Sequence, residues 1–407
     1  MTAASAFPSQ RPGPERAREA FSVAALTLSD FRTYARLRFE IPAGPALIVL
    51  TGPNGSGKTN VLEAISFLAA GRGLRAASLA EPTRWGAVPA GPSLRPAWAV
   101  AARVHGPAGA REVGTGLDPA AGAPERRLVH VDGAPARAQG RLAEAVAVHW
   151  LTPPMERLFQ DGAAARRKFI DRLAAGLDAG HADLKQNYEQ AARERIRLLT
   201  APGAARDGAW LASLEARMAE TGIALACARA HAAEKLDAAS RDARGPFPGA
   251  RVAMAGAVEE WLAAAPALAA EERLVRALAQ GRERDALTGT TGSGPHRSDM
   301  DVRHAGADRP AEQCSTGEQK ALLIALVLGA ADVLAAACGA RPVLLLDEVA
   351  AHLDRVRREA LFAALLDSGA QVWLAGADRE PFESLVGKAR FYAVGSGAIA
   401  PLPDPGA

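Results

Sequence analysis

The run Leu47-Ile48-Val49-Leu50-Thr51, followed by Gly52-Pro53-Asn54-Gly55-Ser56-Gly57-Lys58-Thr59-Asn60, constrains this chain more than any other stretch. The uncharged run reads as a buried strand and the three glycines as a loop. Val61, Leu62, Ile65 and Leu68 then recur at helical spacing. Strand, glycine loop and helix in that order bring successive backbone N–H groups to a helix N-terminus, where they converge on an anion. Gly52, Gly55 and Gly57 remove the side chains that hold a backbone away from a polyphosphate. Lys58 is then placed to reach β- and γ-phosphate oxygens, and Thr59 to offer its hydroxyl to Mg²⁺. ATP and Mg²⁺ are therefore the expected cofactors, cradled by Gly52, Pro53, Asn54, Gly55, Ser56, Gly57, Lys58, Thr59 and Asn60.

A chain of 407 residues can bury one large core or two. Its formal net charge of +3 does not by itself demand a nucleic-acid partner, and it leaves no acidic field to repel one. Cys227, Cys314 and Cys338 form no Cys-x-x-Cys pair, which argues against a zinc site or a disulfide framework and fits a reducing cytoplasm. The first twenty residues carry Pro8, Pro12 and Pro14 among charges, lack the apolar core of a signal peptide, and are expected to form a tail. Ala321–Cys338 is apolar enough to raise the question of a membrane span. Asp332 and Gly329 interrupt it, and a buried helix is the better reading.

Around the glycine loop the pattern predicts a mixed sheet. Phe21 to Ile41 reads as a hairpin turning at Ser29-Asp30 and lying beside the phosphate-binding strand, with Arg32 or Tyr34 as candidates for an adenine contact. The following helix is expected to stop near Gly71-Arg72-Gly73. Strands are expected at 98–104, 111–117, 127–131 and 148–151, with a short helix at 142–146. Composition changes at Met155. From there to about Gly281 the chain is Ala-rich with apolar residues at helical spacing, and three or four helices forming an inserted lobe are expected. Within it Arg166-Arg167-Lys168, and then Arg193, Arg195 and Arg197, concentrate positive charge. Each cluster reads either as a solvated helix face or as a nucleic-acid contact.

Two later motifs bear on the same chemistry. Ser315 and Glu318 have capping-box spacing at the head of the long apolar helix, and that helix start either caps itself or holds a phosphate. Val343-Leu344-Leu345-Leu346 is a buried strand that ends in Asp347-Glu348. Beside a phosphate loop, Asp347 can hold Mg²⁺ and Glu348 can act as general base on water. One more strand is expected at 371–375, and the proline-containing tail after Gly395 is expected to fray. The expected division is a tail at 1–20, a head at 21–154 and 286–395, an inserted helical lobe at 155–285, and a second tail at 396–407.

Phosphate loop, helical insert, Ser-x-Gly-Glu-Gln helix start and apolar strand with Asp-Glu, in that order, resemble an ABC-type ATPase head of the α/β class. Within that class the chain is most similar to the RecF family of bacterial recombination-repair proteins. The similarity runs through Gly52–Ile65, Arg166-Arg167-Lys168-Phe169-Ile170-Asp171, Gly294-Pro295-His296-Arg297, Ser315–Lys320 and Leu344–Glu348. It implies an ATP-dependent homodimer in which Ser315 and Gly317 of one copy cap the nucleotide of the other. It also implies slow ATP hydrolysis used as a switch, and binding to double-stranded DNA near single-strand gaps. Partnership with RecO and RecR in recombinase loading, DNA repair, replication-fork maintenance and the SOS response follows, as does a place for His296 and Arg297 near the nucleotide. DNA contacts are expected from the insert clusters and from Arg355, Arg357 and Arg358. Gly73-Leu74, His352 and Ala375-Gly376 depart from the family pattern, and no γ-phosphate switch residue is assigned. Two rivals are the nucleotide-binding subunit of an ABC transporter, which normally has a shorter insert, and an arm-bearing chromosome-organising ATPase, which needs far longer heptad-patterned arms.

Overall fold

The computed structural model describes residues 19–41, 46–120, 125–136, 140–201, 208–395 and 397–403. The first part of the chain runs β1 (Ser22–Phe31), β2 (Tyr34–Glu40), β3 (Leu47–Thr51), α1 (Lys58–Ser66), β4 (Ala99–Gly106), β5 (Gly109–Leu117), β6 (Arg127–Val131), β7 (Ala134–Pro135), α2 (Gly140–Ala145) and β8 (Val148–Leu151). The middle is α3 (Ala163–Leu177), α4 (His181–Thr200), α5 (Gly208–Ser240), β9 (Ala250–Ala255), α6 (Ala257–Ala264), α7 (Ala267–Gln280) and α8 (Arg282–Thr288). The last part is β10 (Asp299–His304), β11 (Arg309–Pro310), α9 (Thr316–Cys338), β12 (Val343–Asp347), α10 (Arg355–Asp367), β13 (Val372–Gly376), β14 (Ala389–Gly395) and β15 (Ala398–Pro401).

Two six-stranded sheets organise these elements. One has the order β15-β14-β3-β13-β12-β8 and is parallel except for β15; the other, β2-β1-β4-β5-β6-β7, is antiparallel. The parallel strands are apolar without alternation because both of their faces are covered. Ile48, Leu50, Leu345 and Trp373 point into a core shared with α1 and the antiparallel sheet. Leu47, Val49, Leu344, Leu346, Val372 and Leu374 point into a core shared with α3, α9 and α10. The period of two in a strand thus sends neighbouring residues to two different cores. Helix α9 is apolar on all sides, and 72% of its most apolar window is buried in protein, as suits a core helix. Its interrupting Asp332 pairs with Arg244 at 2.6 Å and also with Arg341.

Several expectations are corrected. The hairpin turns at Arg32-Thr33 rather than Ser29-Asp30, because Asp30 (φ 44°) and Arg32 (φ 53°) both take up left-handed backbone there. The hairpin lies in the antiparallel sheet and packs across the phosphate-loop sheet instead of lying beside β3. Helix α1 ends at Ser66. Among the described residues six α-helices, α3 to α8, begin between 155 and 285, and strand β9 is present as well, because Val252 and Met254 pair with Val302 and Met300 of β10. Beyond Gly395 the chain adds edge strand β15, with Ile399 opposite Val394; Pro401 is tolerated because an edge strand has one unpaired side. At the other end, residues 1–18 lie outside the described residues, whereas Ala20 bridges Arg341 and Glu19 O accepts from Arg341 N at 2.8 Å.

The middle helices have their own apolar cluster, built from Tyr188, Leu214, Met218, Ile223, Leu274 and neighbours. Arg195, expected as a surface charge, lies wholly inside this region. It bonds Glu215 at 2.9 Å, Asp285 at 2.8 Å and the carbonyl of Leu278 at 2.6 Å. It contributes to structure and cannot reach a partner molecule. Removing one partner of such a group leaves buried charge uncompensated. Arg195→Ala is expected to destabilise the protein by about 3–5 kcal/mol in denaturant unfolding, whereas the exposed Arg197→Ala is expected to change stability by less than about 0.5 kcal/mol.

Candidate nucleotide site

The phosphate loop leaves β3 at the carboxyl edge of the parallel sheet, and Asp347 ends β12 at the same edge. Strand β13 lies between them: Asp347 is in register with Ala375, and Ala375 with Leu50. Open α/β sheets bind ligands at this edge. The loop's glycines are needed in their places. Gly57 has φ 109°, and a Cβ there would lie 2.7 Å from the Tyr34 hydroxyl; Gly52 has φ 152°, and a Cβ there would lie 2.3 Å from the carbonyl oxygen of Val394. Lys58 is buried, and its Nζ donates to the carbonyls of Gly52 at 2.7 Å and Pro53 at 3.1 Å. The chain thereby folds its ammonium over the loop. Ser56 Oγ is buried and has no hydrogen-bond partner.

Thr59 Oγ1 lies 3.0 and 3.2 Å from the two carboxylate oxygens of Asp347. Burial chiefly pushes the Asp347 carboxyl above its ordinary range. The Thr59 hydrogen bond opposes that, neighbouring Glu348 adds to it, and Arg75 and Lys58 oppose it. A buried carboxylate short of compensating charge, with a threonine hydroxyl against it, fits a hard cation that takes its remaining ligands from phosphate and water. Among the described residues no third His, Cys, Asp or Glu gathers there to complete a protein-only metal site. Glu348 is half-buried and has left-handed backbone (φ 54°), uncommon for a residue with a side chain, while its N–H donates to Ala375 O at 2.9 Å. The kink ends the strand at the edge and turns the chain away from it.

A buried acid that sequence reasoning did not pick out, Glu63, gathers Arg32 and Arg75 to brace the loop helix. Glu63 on α1 is wholly buried and accepts from Arg32 at 2.6 and 2.9 Å and from Arg75 at 2.7 Å. Arg32 also reaches Glu81 at 3.1 Å. Asn60 turns toward the hairpin, donating to Thr33 Oγ1 and accepting from Arg75, both at 3.0 Å, so its amide supports the loop helix rather than lining the loop's phosphate-facing side. Tyr34 is fully buried and donates to Gly57 O at 3.2 Å, with its phenol pushed up to about 12 by burial. Neither hairpin residue is free to flank a base: Tyr34 backs the loop and Arg32 is held by carboxylates. Asn60 beside Thr59 was a visible signal in the sequence. Glu63 gave none, since an acid in a helix ordinarily faces water.

The second motif is built as expected. Ser315 caps α9 reciprocally with Glu318: Ser315 N donates to the carboxylate at 2.8 Å, and Glu318 N donates to Ser315 Oγ at 3.4 Å. Ser315 is exposed and Gly317 half-exposed, and a Cβ on Gly317 would meet Arg357 at 3.3 Å. The cap and the first turn of α10 therefore share one surface. His296 lies elsewhere, inside the middle helices, with Tyr188 OH at 2.5 Å and Thr291 O at 2.8 Å. The resemblance implies a place near the nucleotide; the bonds His296 makes among the described residues are to Tyr188 and Thr291, none to the phosphate loop.

A phosphate loop and an acid pair at strand ends of one parallel sheet, crossed by an antiparallel sheet and followed by a serine-capped helix, define an ABC-type ATPase head. Residues 22–81 match the profile of the RecF/RecN/SMC N terminal domain. The chain is 46% identical over 385 residues to the DNA replication and repair protein RecF of Mesorhizobium japonicum, covering 94% of this chain and 98% of that one. It is 46% identical over 388 residues to that of Caulobacter vibrioides, covering 93% and 98%. The chain belongs to the RecF family. Its fold also matches a solved structure of the recombination mediator protein RecF-ATP in the RecFOR pathway, with a TM-score of 0.79 at 20% identity over 94% of this chain and 98% of that one. The RecF-ATPrS structure gives 0.80 over 95% and 99%, also at 20% identity. The transporter reading is not favoured.

Because Asp347 has a raised pKa in the folded state, ionisation costs the native protein more than the unfolded chain. Stability therefore falls as pH rises from the ordinary Asp range through the raised value, and stays lower above it. Asp347→Asn is expected to be more stable than wild type in denaturant unfolding at pH 7, with the gain shrinking as pH approaches the ordinary Asp range.

Proposed function

We propose that this chain is a DNA-binding ATPase of recombinational repair that works as a nucleotide-closed pair. The observation that carries the reading is the contact between Thr59 and Asp347, which joins the phosphate loop to the acid-ended strand. Lys58 withdraws charge from the β- and γ-phosphates, and the loop N–H groups orient the triphosphate. Thr59 and Asp347 hold Mg²⁺, which supplies charge neutralisation of the phosphates. Glu348 accepts a proton from the attacking water, consistent with its place one residue past the metal-holding acid. Hydrolysis then acts as a slow timer.

The cap formed by exposed Ser315 and half-exposed Gly317 serves a second copy: the triphosphate of a partner head meets it there and competes with Glu318 for the Ser315 hydroxyl and N–H. In this reading ATP brings two copies together, and the pair grips double-stranded DNA near gaps in the cytoplasm. RecO and RecR are the proposed partners, since a structure of similar fold is of a recombination mediator in the RecFOR pathway.

Fluorescence anisotropy on a labelled gapped duplex tests this. Wild type is expected to gain about tenfold or more in affinity on adding Mg-ATP, which is about 1.4 kcal/mol. Lys58→Ala is expected to lose nucleotide binding and the gain together. Ser315→Arg is expected to keep nucleotide binding and lose the gain. Equal DNA affinity with and without Mg-ATP contradicts the reading.

A further inference from the structure

The motif Gly294-Pro295-His296-Arg297 makes no hydrogen bond to the phosphate loop among the described residues, and the chain holds it rigidly. Gly294 has φ 133°, and a Cβ there would lie 2.3 Å from Tyr188 OH. Pro295 O accepts from the buried Arg229 at 2.6 Å, and His296 is fixed at both ring nitrogens by Tyr188 and Thr291. The residue this pedestal leaves outward is Arg297, exposed, with Nε on Thr291 O at 3.1 Å. Arg167 of α3 stands in the same neighbourhood, its Nη1 on Ser298 O at 2.6 Å.

Both guanidinium groups are oriented by backbone carbonyls, and among the described residues neither has a carboxylate within 4.0 Å. Neighbouring arginines do have one: Arg166 bonds Asp299 at 2.7 and 2.8 Å, Arg195 bonds Glu215 and Asp285, and Arg229 bonds Asp171 at 2.6 and 3.0 Å. Asp171 is further shared with Lys185 at 2.8 Å and His181 at 3.1 Å. Glu259 accepts from the Ser298 hydroxyl at 2.6 Å through one oxygen, while its other oxygen is buried with no hydrogen-bond partner among the described residues. Arg166, Arg167, Lys185, Arg229 and Arg297 gather here with the carboxylates Asp171, Glu259 and Asp299, and Glu312 and Asp301 act on Arg166 from further off. The Arg167 guanidinium is held below its ordinary value by burial first and then by Arg229, with Asp299 and Asp171 opposing and Arg297 adding to the shift. A solvated helix face pairs or spreads its charges. Here two guanidinium groups are oriented by backbone carbonyls of one short segment and paired directly with no carboxylate among the described residues, an arrangement that phosphate oxygens complete.

We propose that Arg167 and Arg297, set on α3 and on the Gly-Pro-His-Arg pedestal, form a seat for the sugar-phosphate backbone of duplex nucleic acid. It rests on the DNA-binding reading above and names the face that reading leaves open. Contacts of this kind position a duplex without reading its sequence, so affinity depends steeply on salt. The chain entering α3 touches the serine-capped helix: Gln160, three residues before α3, bonds Gln319 of α9 at 3.2 Å.

The test is the salt dependence of binding to a fluorescein-labelled gapped duplex with Mg-ATP present, with thermal melting to report folding. The double variant Arg167→Ala/Arg297→Ala is expected to bind about tenfold or more weakly, and its log–log salt slope to be smaller by roughly 1–2, about 0.9 per lost phosphate contact. Arg297→Lys is expected to restore most of the slope. Arg276→Ala, an exposed arginine of α7 already facing Glu272, serves as the comparison and is expected to match wild type. If the half-buried Arg167 proves necessary for folding, Arg297→Ala alone is expected to lose roughly one unit of slope. A folded variant with wild-type affinity and slope overturns the seat while leaving the nucleotide-closed pair standing. A wild-type protein that never binds duplex overturns both.

Discussion

The contact on which the rest of this structure depends joins Thr59 to Asp347, 288 residues apart in the chain. It exists only because β3, β13 and β12 run parallel and in register, so that a loop and an acid meet at one edge. That register is enforced from both faces: α1 and the antiparallel sheet close one, and α3, α9 and α10 close the other. A slip by one residue sends every side chain of a strand to the opposite core, which neither core can accommodate. Apolar packing thus sets the geometry of a polar site to which it contributes no atoms.

Buried charge holds the parts that packing leaves free. Glu63 anchors Arg32 and Arg75 beneath the loop helix, Asp171 gathers Arg229 and Lys185, and Arg195 ties α4 to α5 and α8. Buried pairs add little net stability compared with apolar replacements, but their bonds are directional. The first of these networks sits against the phosphate loop. The second lies under the pedestal that presents Arg297. Each therefore fixes a surface group relative to a rigid interior.

How far the chain could be read from sequence follows the same division. The runs at Leu47–Thr51 and Val343–Asp347 were legible because strands buried on both faces carry no interrupting charge, and the Ser315–Glu318 cap because its spacing is local. The Arg195 position was not legible, since helical spacing cannot tell a guanidinium paired inside the lobe from one in water. Arg166 and Arg167 are neighbours in sequence, but one is committed to Asp299 and the other is not. The hairpin turn was misplaced because Asp30 and Arg32 adopt backbone conformations more typical of glycine. Strand β9 was hidden because its partner β10 lies more than forty residues away, and β15 because Pro401 and the prolines after it read as a fraying end.

The most direct measurement is a double-mutant cycle on nucleotide affinity. Wild type, Thr59→Ala, Asp347→Asn and the double variant are titrated calorimetrically with ATP, once with Mg²⁺ and once with a chelator. If both residues hold one ion, each single change weakens Mg-ATP binding, the double change costs little more than either, and this coupling disappears when Mg²⁺ is removed. Strictly additive losses with Mg²⁺ present, or coupling unaltered by the chelator, contradict the account.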